Sequence, residues 1–418
     1  MKHFLSRFFP QRIKNFLHAS EAVLSSWYFN HPAEKLVIIG VTGTNGKTTT
    51  CQLIASILEE DGKKVALATT INFRISGREK INASKFTTLS GRKLQRFLKE
   101  AVDAGCTHAV LEVSSHALDQ GRVRNISYEV AVITNVTREH LDYHKTMEGY
   151  RRAKRRLFQK AKKSVVNLDM WEPDFFLKGD AEEWTYSTVK DTADLFAHSI
   201  TTSLEGSSFV VSQVSFRLQL PGVFNIENAL AAIGAASAVG VTLETAARGI
   251  EKVTLVQGRM DRVENPLGAD IFIDYAVTPD ALEKLYALVS SARKAPSKII
   301  AVFGACGDRD RGKRPIMGKI VSSHADIIIL TNEDPYYEDP EQILDEIEKG
   351  ISGKKKDLSL FRILDRREAI RKALSLLRPG DTLLLTGKGA EETLAIGEER
   401  LPWNDRSVIE EELRKLQG

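Results

Sequence analysis

From Leu36 onward, short runs of continuous apolar residues alternate with stretches whose apolar positions recur every three to four residues. "KLVIIGV", "KVALAT", "HAVLEV" and "EVAVITN" are rich in β-branched residues and too short for helices, so they predict buried strands. Between them, Lys47 to Glu60 and Gly91 to Ala104 have the period and length of helices. Such alternation predicts right-handed β–α–β crossovers and a mostly parallel, buried sheet. After Asn167 the pattern changes. "SSFVVSQVSFRLQL" reads as antiparallel strands, and "NIENALAAIGAASAVGV" with "TLETAARGIEKV" as two helices. A second alternating series starts near Asp270, with "IFIDY", "KIIAVFG", "ADIIILTN" and "DTLLLTG" as its strands. Thr278 and Pro279 supply an N-cap and a first-turn proline for one of its helices. The reading is α/β throughout, in three parts: an extension over 1–35, expected to be helical, a central domain over 36–256 and a C-terminal domain over 257–418.

Composition narrows the class. A chain of 418 residues is long for one domain and comfortable for two. Its net charge of +4 is spread along the sequence, so no nucleic-acid partner is expected. Cys51, Cys106 and Cys306 stand far apart with no CxxC, which points to a reducing cytoplasm and against a thiolate zinc site. No apolar run approaches the roughly 20 residues that span a bilayer. The N-terminal stretch "KHFLSRFFPQRIKNFLHASEAVLSSWYFNH" is too aromatic and too basic throughout for a cleaved signal peptide. It reads either as a helix capping the first domain or as a basic amphipathic segment in peripheral contact with an anionic membrane. Pro10 interrupts it.

Candidate chemistry begins at "VTGTNGKTTT". A glycine-rich turn between strand and helix lets backbone N–H groups converge on phosphate oxygens. Gly43, Thr44, Asn45, Gly46, Lys47, Thr48 and Thr49 form that turn, with Val41 where the pattern usually opens on glycine. Lys47 is placed to reach terminal phosphates and the Thr48 hydroxyl to ligate Mg²⁺. Glu112 ends its strand at the carboxyl edge, where ligands collect in open parallel sheets, and can complete the same Mg²⁺ shell. The next strand leads into His140, Asp142 and His144.

Nine segments then occur in order: "GVTGTNGKTTT", "LEVSSHALDQGRV", "TNVTREHLDYH", "YRRAKRRLF", "FNIENALAA", "GRMDRVE", "DYAVTPDAL", "FGACGDRDRGKRP" and "LLTGKGAEE". Together they resemble the Mur ligase family, in its UDP-N-acetylmuramoyl-tripeptide synthetase branch. The resemblance covers nearly the whole chain from Leu36. It implies a central P-loop ATPase-type domain and a C-terminal Rossmann-like domain that binds an amino acid. It also implies an ATP-dependent, ADP-forming amide ligase: a peptide carboxylate attacks the γ-phosphate of ATP, and the amine of an amino acid displaces phosphate from the acyl-phosphate. By resemblance, Thr48 and Glu112 hold one Mg²⁺, and His140 with a CO₂-carbamylated Lys154 holds a second. Carbamylation needs a neutral amine, which burial favours, although "RRAKRR" alone reads as a solvated basic helix face. Lys47, His140 and Lys154 are then the catalytic set. Asn228 is expected near adenine, Arg259 on ATP phosphates and Asp274 on the ribose. Thr87, Thr88, Ser114, Ser115, Gln120 and Arg122 are expected to hold a muramyl peptide acceptor. Arg309, Asp334, Tyr336, Gly387 and Glu391 are expected to hold the amino acid. A monomer is expected.

Three departures from the family pattern bear on substrate. About 35 residues precede the first strand, too few for the domain that usually grips the uridine nucleotide. A soluble UDP-linked acceptor is favoured here, with a lipid-linked one as the alternative. Tyr336 stands where diaminopimelate-adding relatives carry an arginine, and a tyrosine cannot supply a bidentate cation to a distal carboxylate. Glu333, Asp334, Glu338 and Asp339 make the neighbourhood acidic, so L-lysine or another basic amino acid is expected. Val277 and Ala390 replace two family histidines, and Leu89 a proline. Competing readings are a superfamily ligase acting on folate or a poly-amino acid, and a nucleotide-binding regulator without turnover. The joint presence of Lys47, Glu112, His140 and Lys154 favours an enzyme.

Overall fold

In the computed structural model, which describes residues 10–84, 86–177, 179 and 182–417, the predicted alternation takes form as two α/β units. One unit comprises the chain up to Val136 with His144–Thr202 and Gly206–Thr254; the other comprises Thr137–Tyr143, Ser203–Glu205 and everything from Leu255.

The first unit opens with α1 (Gln11–Tyr28), which starts directly after Pro10, a residue with no N–H to lose at a helix start. The first nine residues of the predicted extension lie outside the described residues. A nine-stranded sheet follows, built from β1 (Val37–Thr42), β2 (Val65–Ala68), β3 (Asn72–Ile75), β4 (Arg78–Ile81), β5 (His108–Glu112), β6 (Tyr128–Ile133), β7 (Ala161–Asn167), β8 (Glu182–Ser187) and β9 (Leu195–Phe196). Its order is 4-3-2-5-1-6-7-8-9, with only β3 and β4 antiparallel to their neighbours. Helices α2 (Lys47–Glu60), α3 (Gly91–Asp103) and α4 (Ser115–Asp119) lie between the strands in sequence, as do α5 (Leu141–His144), all but its last residue in the second unit, and α6 (Met147–Phe158). Strand β5 is buried along its whole length and β1 along all but its first residue, which is why they read as unbroken apolar runs. Register sets Val41 opposite Glu112 and Thr42 opposite Ile133, so the turn after β1 and the ends of β5 and β6 share one edge.

The second pattern appears as the antiparallel sheet β10 (His198–Thr202), β11 (Ser207–Val211), β12 (Val214–Leu218), followed by α7 (Val223–Ser237) and α8 (Leu243–Glu251). Helix α7 buries Ala229, Ala231, Ala232, Ala235 and Ala236. It lies so close to the sheet that a Cβ on Gly234 would stand 2.8 Å from Val165 Cγ1.

The second unit is a sheet of β13 (Asp261–Val263), β14 (Asp270–Asp274), β15 (Ile299–Phe303), β16 (Ile327–Leu330), β17 (Leu360–Arg362) and β18 (Thr382–Thr386), in the order 13-14-18-15-16-17, parallel except for β13. A hairpin, β19 (Thr393–Ile396) and β20 (Glu399–Pro402), stands apart from it. Its helices are α9 (Pro279–Ala292), α10 (Arg314–His324), α11 (Pro340–Glu348), α12 (Arg366–Leu376) and α13 (Asp405–Gln417). Thr278 caps α9 by accepting from Ala281 N–H, with Pro279 in the first turn. Among the described residues no helix is long and apolar enough to cross a membrane.

The start of α12 is tied to α13 by a buried ion pair. Arg366 donates to both Asp405 oxygens (2.9 and 2.7 Å) and to the carbonyls of Asn332 and Thr386. Removing one member leaves the other buried and uncompensated. Arg366→Met is therefore expected to cost about 3–5 kcal/mol in urea unfolding; a loss below about 1 kcal/mol would show that the pair contributes little.

Candidate active site

The turn after β1 is pressed from two sides. A Cβ on Gly43 would stand 1.8 Å from Thr134 Oγ1, and one on Gly46 would stand 2.0 Å from Asn228 Oδ1. Gly46 also has φ +83°, a left-handed conformation that glycine adopts freely. The turn is held by Thr44 N–H to the Asn135 carbonyl, Asn45 N–H to Asn135 Oδ1, and Thr134 Oγ1 to the Asn45 carbonyl. Helix α2 then starts at Lys47 with no side-chain cap, so its first N–H groups face the turn without intrahelical acceptors. Lys47 Nζ folds back onto the Thr44 carbonyl at 2.8 Å, and Thr49 is buried. Asn228 is buried and donates to Asn225 Oδ1 (3.1 Å).

Glu112 gathers the neighbouring strand ends. Its carboxylate accepts from the Thr48 hydroxyl (2.9 Å), Thr70 N–H (2.8 Å) and the Thr70 hydroxyl (2.9 Å), and it is 2% exposed. Among the described residues no three His, Cys, Asp or Glu side chains form a metal cage. One hydroxyl and one carboxylate are instead what a protein offers Mg²⁺ when phosphates and water fill the rest of its shell, so these residues fit that ion.

Lys154 is fully buried, contrary to the solvated face that "RRAKRR" implies locally. Its Nζ donates to the Gly43 carbonyl (2.6 Å) and lies 4.2 Å from the Tyr150 ring centre. Among the described residues no carboxylate pairs with it. Burial first, and the nearby Lys47 charge second, push its pKa well below the usual lysine value. Tyr150 closes the group with a 3.2 Å hydrogen bond to the Thr44 hydroxyl.

Beyond β5, three of the six acceptor candidates, Thr88, Ser114 and Arg122, interlock. The Thr88 hydroxyl donates to the Glu112 carbonyl and accepts from Ser114 N–H (3.0 and 2.9 Å), and Arg122 Nη1 donates to the Thr88 carbonyl (2.7 Å). Ser114 caps α4, and Ser115 Oγ lies 3.0 Å from His144 Nε2. Thr87 is half-buried beside Thr88, and Gln120 ends α4. His140 belongs to the second unit, at a residue with φ +57° next to Glu139, whose carboxylate takes the buried Lys313 at 3.1 Å.

In the second unit, the candidates sit at the carboxyl ends of parallel strands. Asp274 ends β14 in register with Thr386 of β18, and the Asp274 carbonyl accepts from Gly387 N–H (3.1 Å). Asp274 Oδ2 accepts from Met260 N–H (2.7 Å), and Arg259 lies over the Tyr275 ring at 4.8 Å. Tyr336 has guanidinium groups over its ring from Arg309 (5.6 Å) and Arg400 (5.3 Å). The acidic neighbourhood read from the sequence is largely neutralised. Lys388, fully buried, bridges Asp334 (2.8 Å) and Glu391 (2.5 Å). Arg314 takes Glu338 (2.8 Å), and Asp339 caps α11. Of these acids, Glu333 keeps a buried oxygen, Oε2, that has no hydrogen-bond partner among the described residues. Burial first, then the Asp334 charge, push its pKa up to about 7. Gly387 leaves it room, since a Cβ there would stand 2.8 Å from Oε2. Sequence reasoning passed over Thr70, Tyr150, Lys388 and Arg400. Tyr150 had a signal, being one helical turn before Lys154 on the apolar stripe of α6.

The description "Mur ligase middle domain" matches residues 41–236, and "Mur ligase, glutamate ligase domain" matches 258–389. The chain belongs to the Mur ligase family. The UDP-N-acetylmuramyl-tripeptide synthetase of Roseiflexus sp. (strain RS-1) is 39% identical over 419 residues, spanning 94% of this chain and 82% of that protein. The UDP-N-acetylmuramoyl-L-alanyl-D-glutamate--2,6-diaminopimelate ligase of Clostridium tetani is 39% identical over 402 residues, spanning 94% and 81%. A solved structure of a UDP-N-acetylmuramoyl-L-alanyl-D-glutamate--2,6-diaminopimelate ligase superposes with TM-score 0.64 at 34% identity, over 95% of this chain and 83% of the other. As a Mur ligase, the chain is an ATP-dependent, ADP-forming ligase that adds an amino acid in peptidoglycan precursor synthesis.

The raised pKa of Glu333 fixes a sign. The folded state keeps a proton that an unfolded glutamate releases near pH 4.3, so this group's contribution falls as pH rises from about 4.3 to about 7. Glu333→Gln removes the penalty. The variant is expected to melt higher than the parent at pH 8 by an amount worth about 3 kcal/mol, with the difference vanishing at pH 4; parallel melting curves at both pH values would contradict the burial account.

Proposed function

We propose that this Mur ligase adds a basic amino acid, L-lysine first, to a UDP-linked muramyl dipeptide. The observation that carries the amino-acid choice is Glu333, a buried carboxylate oxygen without a donor beside Gly387. An ammonium group arriving there supplies the missing donor and charge. Tyr336, where diaminopimelate-adding relatives have arginine, offers a ring face instead of a bidentate cation. Arg309, exposed and bonded only weakly through the Asp308 carbonyl (3.1 Å), suits the α-carboxylate shared by all amino acids. The acceptor choice rests on relatives whose names specify UDP-N-acetylmuramoyl-L-alanyl-D-glutamate. Thr88, Ser114, Ser115 and Arg122 supply the polar edge for it, with Thr87 and Gln120 alongside. The three cysteines, two buried and one half-buried, suit a reducing cytoplasm.

In this reading the turn at 43–49 and Lys47 orient the triphosphate of ATP and Asn228 meets its adenine, while Arg259 and Asp274 keep the phosphate and ribose roles that the family resemblance gives them. Thr48 and Glu112 would hold Mg²⁺, which when bound would supply charge neutralisation for phosphoryl transfer. Lys154 is the residue for CO₂: burial with no carboxylate paired to it among the described residues favours the neutral amine, and its carbamate would place an anionic oxygen ligand beside the Gly43 carbonyl. His140 keeps the ligand role that the family resemblance gives it.

A second reading, diaminopimelate as substrate, is favoured by Arg400. Its guanidinium stands over Tyr336, and the described residues give it only the backbone carbonyls of Gly397 and Glu399 as partners (3.2 and 2.7 Å). A cation there can meet a distal carboxylate from a different chain position.

The deciding experiment incubates the protein with ATP, Mg²⁺ and UDP-N-acetylmuramoyl-L-Ala-D-Glu and screens single amino acids for phosphate release and mass gain. Product with lysine is expected. Product with diaminopimelate alone, lost in Arg400→Gln, establishes the second reading, and no product with any amino acid overturns the acceptor. Lys154→Ala is expected to lower turnover by about 10²–10³-fold or more, with partial rescue by a short-chain carboxylate and slower parent turnover in CO₂-free buffer. Full activity of the variant without added acid would remove Lys154 from the mechanism.

A further inference from the structure

Helix α1 is built with its small residues inward and its large ones outward. Its packed side is Asn15, Ala19, Ala22, Ser25 and Ser26. A Cβ on Gly91 would stand 2.7 Å from the Ala22 backbone, one on Gly121 would stand 2.8 Å from Ala19 Cβ, and Asn15 Nδ2 donates to Asp119 Oδ2 (3.1 Å). Ile13, Phe16, Leu17, Leu24, Trp27 and Tyr28 face away, with Leu24 and Trp27 each 68% exposed and Tyr28 79% exposed. At 3.6 residues per turn these six fall within an arc of about 120°. A contiguous arc of large apolar side chains in water marks a surface that something covers.

We propose that this arc is a membrane-surface contact: α1 lies flat at the headgroup boundary of an anionic bilayer with the arc turned into the acyl region. Charge selects this occupant. Arg12 and Lys14 fall on the two borders of the arc, and Glu21 is the only acidic residue on the helix. Helix α3, packed along α1, exposes Arg92, Lys93 and Arg96, of which Arg96 is paired with Glu100 (2.8 Å). The sequence ahead of Pro10 adds Lys2, His3 and Arg7 and no acid. A second copy of the chain would meet these cations with the same cations, whereas an anionic bilayer offers an apolar interior and phosphate together. Trp27 and Tyr28, at the C-terminal end of the helix, are amphipathic rings of the kind that settle at headgroup level.

The test is flotation of the full chain with phosphatidylcholine vesicles and with vesicles of equal phosphatidylcholine and phosphatidylglycerol. The protein is expected to float with the anionic vesicles and far less with the neutral ones. Phe16→Ser combined with Trp27→Ser is expected to lower the bound fraction at least about tenfold. An unchanged melting temperature shows that the variant is folded. Adding anionic vesicles is expected to shift the fluorescence of the parent to the blue, a shift absent in Trp27→Phe while flotation persists. Flotation on neither vesicle, or flotation that the double substitution leaves untouched, overturns the proposal. So does a dimer in light scattering that the double substitution dissociates, which would assign the arc to a second copy.

Discussion

There is no room for a side chain at Gly43 or at Gly46, and much of the first unit's chemistry follows from that crowding. Gly43 is backed by Thr134 at the end of β6, and Gly46 by Asn228 on α7, a residue nearly two hundred positions downstream. A turn wedged in this way cannot drift, so the first residues of α2 are fixed relative to three strand ends. That is why the Thr48 hydroxyl finds Glu112 and why the Gly43 carbonyl is presented to Lys154. It also gives Asn228 a structural duty as a buttress, independent of any adenine it meets.

Among the described residues three lysines are buried, and their surroundings differ in an informative way. Lys313 sits between Glu139 and the Val277 carbonyl, and Lys388 between Asp334 and Glu391. Both are ordinary buried cations, each with an anion to offset desolvation. Lys154 is equally buried yet bonds only to a carbonyl, which favours its neutral form. Glu333 is its counterpart of opposite sign, a buried carboxyl with an oxygen that nothing donates to. Buried groups left short of a partner cost free energy unless a substrate or cofactor completes them. In a ligase whose substrates bring phosphate, metal and ammonium, those two positions are where completion is to be sought.

The strands were legible because burial on both faces leaves an unbroken apolar signature, and the antiparallel β11 and β12 because their alternation is half-polar. The cap at Thr278 was legible because its chemistry is local. The charge balance at 333–339 was not legible because its neutralising partners, Arg314 and Lys388, lie about twenty and about fifty positions away, beyond the reach of any local charge count. Lys154 was half legible: "RRAKRR" hides it, but Met147, Tyr150, Leu157 and Phe158 recur at helical spacing around it and mark a face turned to the core. Helix α1 shows the converse limit. Periodicity reveals which face is apolar and says nothing of whether that face is covered.

At the two positions where the family pattern leads one to expect histidine, Val277 and Ala390, the main chain makes the contacts. Val277 contributes its carbonyl, which accepts from Lys313 Nζ at 2.9 Å, and that lysine in turn fixes Glu139 beside His140. Ala390 contributes its backbone too: the chain at Gly389 and Ala390 passes so close to Gly258 that a Cβ there would stand 2.1 Å from Ala390 N. Gly258 precedes Arg259, and its carbonyl accepts from Tyr275 N–H directly after Asp274. Both positions therefore act through main-chain atoms that any residue supplies. The loops that carry Arg259, Asp274 and Gly387 are held by main-chain bonds, Tyr275 N–H to the Gly258 carbonyl and Gly387 N–H to the Asp274 carbonyl, and such bonds do not depend on which side chain stands at 277 or 390.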